Sequence, residues 1–111
     1  WERRADVGPW PVPDLAAGLH ASTMPWIKAR DVSFLGSESS ADVAPSQIEG
    51  VRLPVHMLAM VALGLDIFDN LDLDSLADTA AELNRWEFLL VASPLAVTGG
   101  TGSPVNALAI F

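Results

Sequence analysis

Long apolar runs alternate with short polar breaks along this chain, and the periods of the runs predict its elements. The clearest pattern is a helical repeat that predicts a helix over residues 73–84, capped by Asn70 or Asp72. Polar residues fill the positions between, so one face should be buried and the other solvated. The repeating apolar residues are Leu73, Leu76, Ala77, Ala80 and Leu83.

A nearly unbroken apolar run occupies residues 53–68. Pro54 suits the first turn of a helix and Gly64 suits its end, which predicts a helix over residues 55–63. Because this segment is apolar on every helical face, we expect it to be buried all round. A further short helix is predicted upstream, with Pro25 in its first turn. Ser22 or Thr23 should cap it, and Trp26 and Ile27 should pack inward.

Four short apolar segments are predicted to be strands. The segment 86–92 is apolar on both faces apart from Glu87, which is typical of a strand in the middle of a sheet covered on both sides. A buried acid there needs a partner, so we expect Glu87 to form a salt bridge. The glycine-rich run 98–104 should form a tight turn before the last strand. The predicted strands cover residues 31–36, 65–68, 86–92 and 107–111.

The order of these elements predicts an α/β fold with a small mixed sheet and covering helices. Alternating prolines predict that residues 1–17 form a connecting loop, ahead of one α/β portion over residues 18–111. The sequence begins at Trp1 rather than at a methionine, and we expect it to be a fragment of a longer polypeptide.

The charge and cysteine content exclude several classes of function. The formal net charge is −8 and the six Lys and Arg residues are scattered, which argues against binding to nucleic acid or to an anionic membrane surface. No cysteine is present, which rules out disulfides and thiolate metal sites and fits a cytoplasmic protein. No apolar run reaches the ~18 residues of a membrane span.

A histidine and a carboxylate stand at the two ends of the long apolar run. His56 stands at the start of the predicted helix and Asp69 directly follows the predicted strand, so the two side chains could lie near each other. They could bind a metal, act as an acid/base pair, or be structural, with His56 bonded to backbone and Asp69 capping a helix. The sequence pattern leaves these alternatives open. His20 is expected at the surface, and Glu38 is expected to be a solvated acid.

Several stretches, in order along the chain, resemble the cyclase family of metal-dependent hydrolases, which includes bacterial kynurenine formamidase and isatin hydrolase. The most specific stretch is Gly99-Gly100-Thr101-Gly102-Ser103-Pro104-Val105-Asn106, which follows the apolar run over residues 86–95. The resemblance covers nearly the whole chain from about Gly18. The other matching stretches are Ala17-Gly18-Leu19, Asp31-Val32-Ser33-Phe34-Leu35-Gly36-Ser37, Pro54-Val55-His56 and Asp69-Asn70-Leu71-Asp72-Leu73.

The resemblance implies a swivelling β/β/α fold and hydrolysis of a small-molecule cyclic or linear amide or ester by metal-activated water. It places His56 in the active site as a metal ligand or proton shuttle. It makes Asp69 a metal ligand or the partner of His56. The implied metal is Zn²⁺ or Mn²⁺, and the loop over residues 37–42 would border the substrate.

Two departures from the family pattern limit what the resemblance implies. Kynurenine formamidases usually have Glu at the position of Asp69. The family's principal metal motif, His-x-Gly-Thr-His-x-Asp, is absent, because His20 and His56 are the only histidines. The chain therefore resembles the C-terminal portion of such an enzyme, whose metal needs ligands from a second chain, a homo-oligomer or residues outside this sequence. The alternative is a non-catalytic truncated relative that serves as an assembly or interaction module.

Overall fold

A computed structural model describes residues 15–111 of the chain. Most of the loop predicted over residues 1–17 therefore lies outside the described residues. The chain divides into two compact units, of which the first ends at Asn70 and the second is Leu71–Phe111. Each unit is described by itself.

The first unit contains two helices and a parallel pair of strands. A 3₁₀ turn, Ala21–Thr23, leads directly into helix α1. Helix α2 begins as an α-helix and continues with π-helical winding to a left-handed Gly64. Strands β1 and β2 pair with Leu35 opposite Ile67. The bounds are Met24–Ala29 for α1, Phe34–Gly36 for β1, Pro54–His56 and Met57–Leu63 for the two parts of α2, and Asp66–Phe68 for β2.

The second unit contains one helix and an antiparallel pair of strands. Helix α3 spans Asp74–Leu83, and strands β3 and β4 span Leu89–Val91 and Leu108–Ile110. The predicted order of helices and strands is confirmed, and so is the α/β class with both parallel and antiparallel pairing. All four strands are shorter than predicted. The residue before α3 is Leu73, without a side-chain capping bond, so the predicted cap at Asn70 or Asp72 is wrong.

The core of the first unit lies where α1 and α2 meet. Ile27 is buried as predicted. Trp26 is 57% exposed, and its ring lies 3.8 Å from the guanidinium of Arg30, so its predicted inward packing is wrong. The reason is that Met24 and Ile27, three positions apart, face the core, and Trp26 lies on the other side of the helix. The buried residues of this core are Met24, Ile27, Ala41, Val55, Ala59 and Leu65.

Helix α2 is not buried all round, which corrects the prediction from its apolar sequence. Val55 and Ala59 are fully buried, but Met57 is 57% exposed and Val61 is 83% exposed. The helix packs on the core along one face, so its opposite face reaches the surface of this unit. That face carries the exposed apolar side chains Met57, Leu58, Met60 and Val61.

Strand β3 is not covered on both sides in this unit. Its one strand partner among the described residues is β4, and Leu89 is 63% exposed. Trp86 is 68% exposed, and Glu87 is exposed without an ion pair in the described part of the chain. The predictions of a central strand and of a buried, salt-bridged Glu87 are therefore wrong. Within residues 15–111, no helix is long and apolar enough to cross a membrane.

Candidate functional site

Two loops meet at the carboxyl ends of β1 and β2. Asp69 directly follows β2, and Ser37 directly follows β1. The backbone N–H of Ser37 donates to the carbonyl of Phe68 at 3.0 Å, and the N–H of Asn70 donates to the carbonyl of Ser39 at 3.1 Å. These bonds extend the strand pairing into the loops, so polar side chains gather at one edge. Ligands of α/β sheets usually bind at this edge.

Asp42 closes the loop after β1 onto the start of α2. Its Oδ1 accepts from the backbone N–H of Val55 at 2.6 Å, and its Oδ2 accepts from the backbone N–H of His56 at 3.1 Å. The first N–H groups of a helix have no partner within the helix, so a carboxylate placed there satisfies them. This bond pair fixes the end of α2 that carries His56.

Both ring nitrogens of His56 face carboxylates. Nδ1 lies 2.5 Å from Oδ2 of Asp42, and Nε2 lies 2.8 Å from Oδ2 of Asp69. The predicted proximity of His56 and Asp69 is thus confirmed. The two residues are thirteen positions apart in sequence. They meet in space because α2 leads away from the site and β2 returns to it.

The two carboxylates raise the pKa of His56 above its ordinary value. Burial of the imidazole lowers this pKa and is the largest single effect. The hydrogen bonds to Asp42 and Asp69, together with their negative charges, outweigh burial. The arrangement therefore favours the imidazolium, which donates from both ring nitrogens.

The other oxygen of Asp69 holds the loop after β1. Oδ1 accepts from the backbone N–H of Ala41 at 3.1 Å and lies 3.5 Å from the hydroxyl of Ser37. The Asp69 carboxylate therefore links the loop after β2 to the loop after β1. It does not cap a helix, which was the structural alternative for this residue. Its side chain keeps 29% exposure, so Asp69 is in contact with solvent, unlike Asp42.

Asp42 is a site residue that the sequence did not reveal, beyond its place at the end of the loop over residues 37–42. It is only 1% exposed. One signal was present: a helix that starts with proline needs an acceptor for its next N–H groups, and a short acid upstream can supply it. Asp42 and Val55 are thirteen positions apart in sequence, so no local capping rule identified the pair.

Other polar residues have structural partners. His20 has a partner close in sequence: its Nδ1 lies 2.8 Å from the hydroxyl of Ser22 and accepts from the Ser22 N–H at 3.2 Å. Thr23 occupies the cap position of α1, as predicted, but its side chain makes no capping bond there. His20 caps the 3₁₀ turn that precedes α1. Glu38 is exposed, as predicted. In the second unit, Ser103 accepts from the N–H of Leu95 at 2.9 Å and braces the predicted turn.

The donor types at His56 and Asp69 fit a first-row metal ion. Imidazole nitrogen and carboxylate oxygen are ligands of both Zn²⁺ and Mn²⁺. The number of donors is smaller than such sites use: across residues 15–111 no three His, Asp or Glu side chains group so as to hold a metal ion. Asp42 faces the opposite edge of the imidazole from Nε2, which is how a carboxylate orients a ligating histidine.

One solved structure resembles this chain closely. It is described as the crystal structure of a novel cyclase, shares 32% sequence identity, and superposes with a TM-score of 0.74. The match covers 85% of this chain and 30% of the other, so the chain spans less than a third of that protein. No protein-family model matches the sequence, and no curated protein matches it. The fold of this chain is therefore cyclase-like.

Proposed function

We propose that this chain is part of a metal-dependent hydrolase of the cyclase family that cleaves a cyclic or linear amide or ester bond of a small molecule. The observation that carries the proposal is the convergence of His56 Nε2 and Asp69 Oδ2, 2.8 Å apart, at the carboxyl ends of two parallel strands. The likeness to a cyclase at 32% identity supports it independently.

In this proposal His56 and Asp69 supply two ligands to Zn²⁺ or Mn²⁺. The ion contributes Lewis-acid activation of water and of the scissile carbonyl. His56 is also placed to move a proton at Nε2, since its ring is held in position at the other nitrogen. Asp69 holds the loop over residues 37–42 through its second oxygen, so this loop borders the substrate.

The remaining ligands come from outside the described residues. A second chain, a further copy of this chain, or a longer polypeptide would bring them, and the cytoplasm is the proposed location. Metal sites of this kind use three or four protein ligands, and this chain brings two of them together.

The test compares this chain with the longest natural polypeptide that contains it. Each is assayed with Zn²⁺ or Mn²⁺ for hydrolysis of N-formylkynurenine, isatin and a panel of simple amides and esters. The longer polypeptide should hydrolyse one of them, and a chelator should abolish the activity. His56→Gln and Asp69→Asn should each lower kcat/KM by at least about 100-fold. Glu49→Gln, at an exposed acid, is the matched control.

Two results would contradict this proposal. Metal-independent hydrolysis, or none by the longer polypeptide, would exclude a metal-dependent hydrolase acting on these substrates. Turnover by the 111-residue chain alone as a monomer would show that no outside ligands are needed.

The exposed face of α2 favours a second candidate, a non-catalytic interaction module. Met57, Met60 and Val61 are 57%, 53% and 83% exposed and form one apolar surface. If this surface binds another chain or a second copy, a Met60→Lys, Val61→Lys double variant should lower the assembly state in light scattering. A wild-type chain that stays monomeric at high concentration and binds no partner would count against this candidate.

A further inference from the structure

Asp42 is the one buried charged side chain in the described part of the protein, at 1% exposure. A carboxylate in such a place is costly unless it accepts several hydrogen bonds. Asp42 accepts from the Val55 and His56 backbone N–H groups and lies against Nδ1 of His56. All of its close partners thus belong to the start of α2, where His56 stands.

The backbone around Asp42 is held as firmly as its side chain. The N–H of Leu19 donates to the carbonyl of Ala41 at 2.8 Å, and the N–H of Val43 donates to the carbonyl of Leu19 at 3.1 Å. These bonds fix the residues on both sides of Asp42. Gly18 lies so close that a Cβ there would overlap the carbonyl of Asp42. The backbone that carries the carboxylate is therefore fixed beside the start of α2.

The two carboxylates that flank the ring differ in environment. Asp42 is buried and can satisfy its oxygens only with protein donors, whereas Asp69 is 29% exposed and can accept from water. The contact from Nδ1 to Asp42 is also shorter, 2.5 Å against 2.8 Å. When the ring carries a single proton, we expect that proton on Nδ1. Its loss from Nδ1 would leave a buried oxygen of Asp42 without one of its donors.

We infer that Asp42 is the positioning residue of this site: it keeps the neutral ring of His56 in the Nδ1–H tautomer. The lone pair is then on Nε2, and the partly exposed Asp69 accepts from water in place of the lost Nε2–H. A metal ion or a substrate proton would meet that lone pair. Only this last statement rests on the proposed function. The tautomer follows from the different surroundings of the two carboxylates, buried Asp42 and partly exposed Asp69.

The test is the protonation pattern of the imidazole, read by long-range ¹H–¹⁵N correlation NMR on the 111-residue chain with labelled histidine, at alkaline pH. His56→Gln assigns the signals, since the chain has two histidines. In wild type, Nδ1 of His56 should be of the protonated type and Nε2 of the unprotonated type. Asp69→Asn should leave this pattern unchanged, whereas Asp42→Asn should move the proton to Nε2.

A ring proton on Nε2 in the wild type, or an unchanged pattern in Asp42→Asn, overturns the inference. If Asp42→Asn does not fold, the wild-type and Asp69→Asn spectra still decide, because a proton on Nε2 in either one overturns it.

Calorimetric titration of Zn²⁺ into the longest natural polypeptide that contains this chain separates this inference from the proposed function. Asp42→Asn should weaken Zn²⁺ binding about 10- to 100-fold relative to wild type, the range observed when the orienting partner of a metal-bound histidine is removed. An unchanged affinity would overturn the positioning role. A wild-type polypeptide that binds no Zn²⁺ would count against the proposed function, while the NMR pattern would still decide the role of Asp42.

Discussion

Asp42 holds His56 at two points, the backbone N–H at 3.1 Å and the ring Nδ1 at 2.5 Å. One buried carboxylate therefore joins the start of helix α2 to the orientation of the imidazole. Because the same group does both, stability and site geometry should respond together to changes at this position.

Replacement of Asp42 by alanine should destabilise the first unit strongly. The variant leaves the N–H groups of Val55 and His56 without their acceptor and removes one partner of a buried charged pair. We expect Asp42→Ala to lower the free energy of unfolding by roughly 3 kcal/mol. Urea denaturation measures this change.

The control is Glu49→Ala, which removes an exposed acid and should change the free energy of unfolding by less than about 0.5 kcal/mol. Equal effects of the two substitutions would show that the contacts of Asp42 add nothing to stability.

The stability of the chain should fall with rising pH because of His56. Its pKa is raised in the folded state, so over the window above the ordinary histidine value of about 6.5 the folded state binds more protons than the unfolded state. The stabilisation is complete below that value and is lost as pH rises through the raised pKa. We expect the stability advantage of wild type over His56→Gln to shrink as the pH rises from about 6.5 through the raised pKa of His56.

Urea denaturation midpoints of wild type and His56→Gln, measured over a series of rising pH values, test whether the difference in stability shrinks. An advantage that grows with pH would mean that burial of the imidazole, rather than the two carboxylates, controls the protonation of His56.

Gly18 should tolerate no side chain. A Cβ at this position would overlap backbone atoms of Asp42 and Val43, which cannot move away without disturbing the bonds that fix Asp42. We expect Gly18→Ala to lower the free energy of unfolding by about 1–3 kcal/mol and to shift the NMR signals of the His56 ring. Gly102→Ala is the control, because a Cβ there has no neighbour within 4 Å.

Local patterns in the sequence were sufficient to predict which segments form helices and strands. The repeat in α3 and the proline and glycine that flank α2 identified both helices, since periodicity and end signals act over a few residues. The strands were predicted too long because an apolar run does not show where its pairing stops. In β3, pairing is limited to the three residues that face β4.

Burial was predicted less well, since it depends on what lies opposite each face. Trp26, Trp86 and Val61 are apolar in sequence but exposed in their units. Glu87 was predicted to be buried because its neighbours are apolar, and it lies at the surface. Hydrophobicity measures the tendency of a residue to be covered, whereas only the packing of the elements decides which residues are.

The sequence by itself determined the order of elements and the α/β class. It also indicated that His56 and Asp69 could meet, because a helix that leaves a site and a strand that returns bring the two ends of the segment together. Only the tertiary structure placed Asp42 beside Nδ1 of His56. That contact depends on how a loop of irregular backbone folds back onto the start of a helix. The spacing of apolar residues along the sequence does not predict the path of such a loop. A buried carboxylate must find donors, and the folded chain determines which donors are within reach.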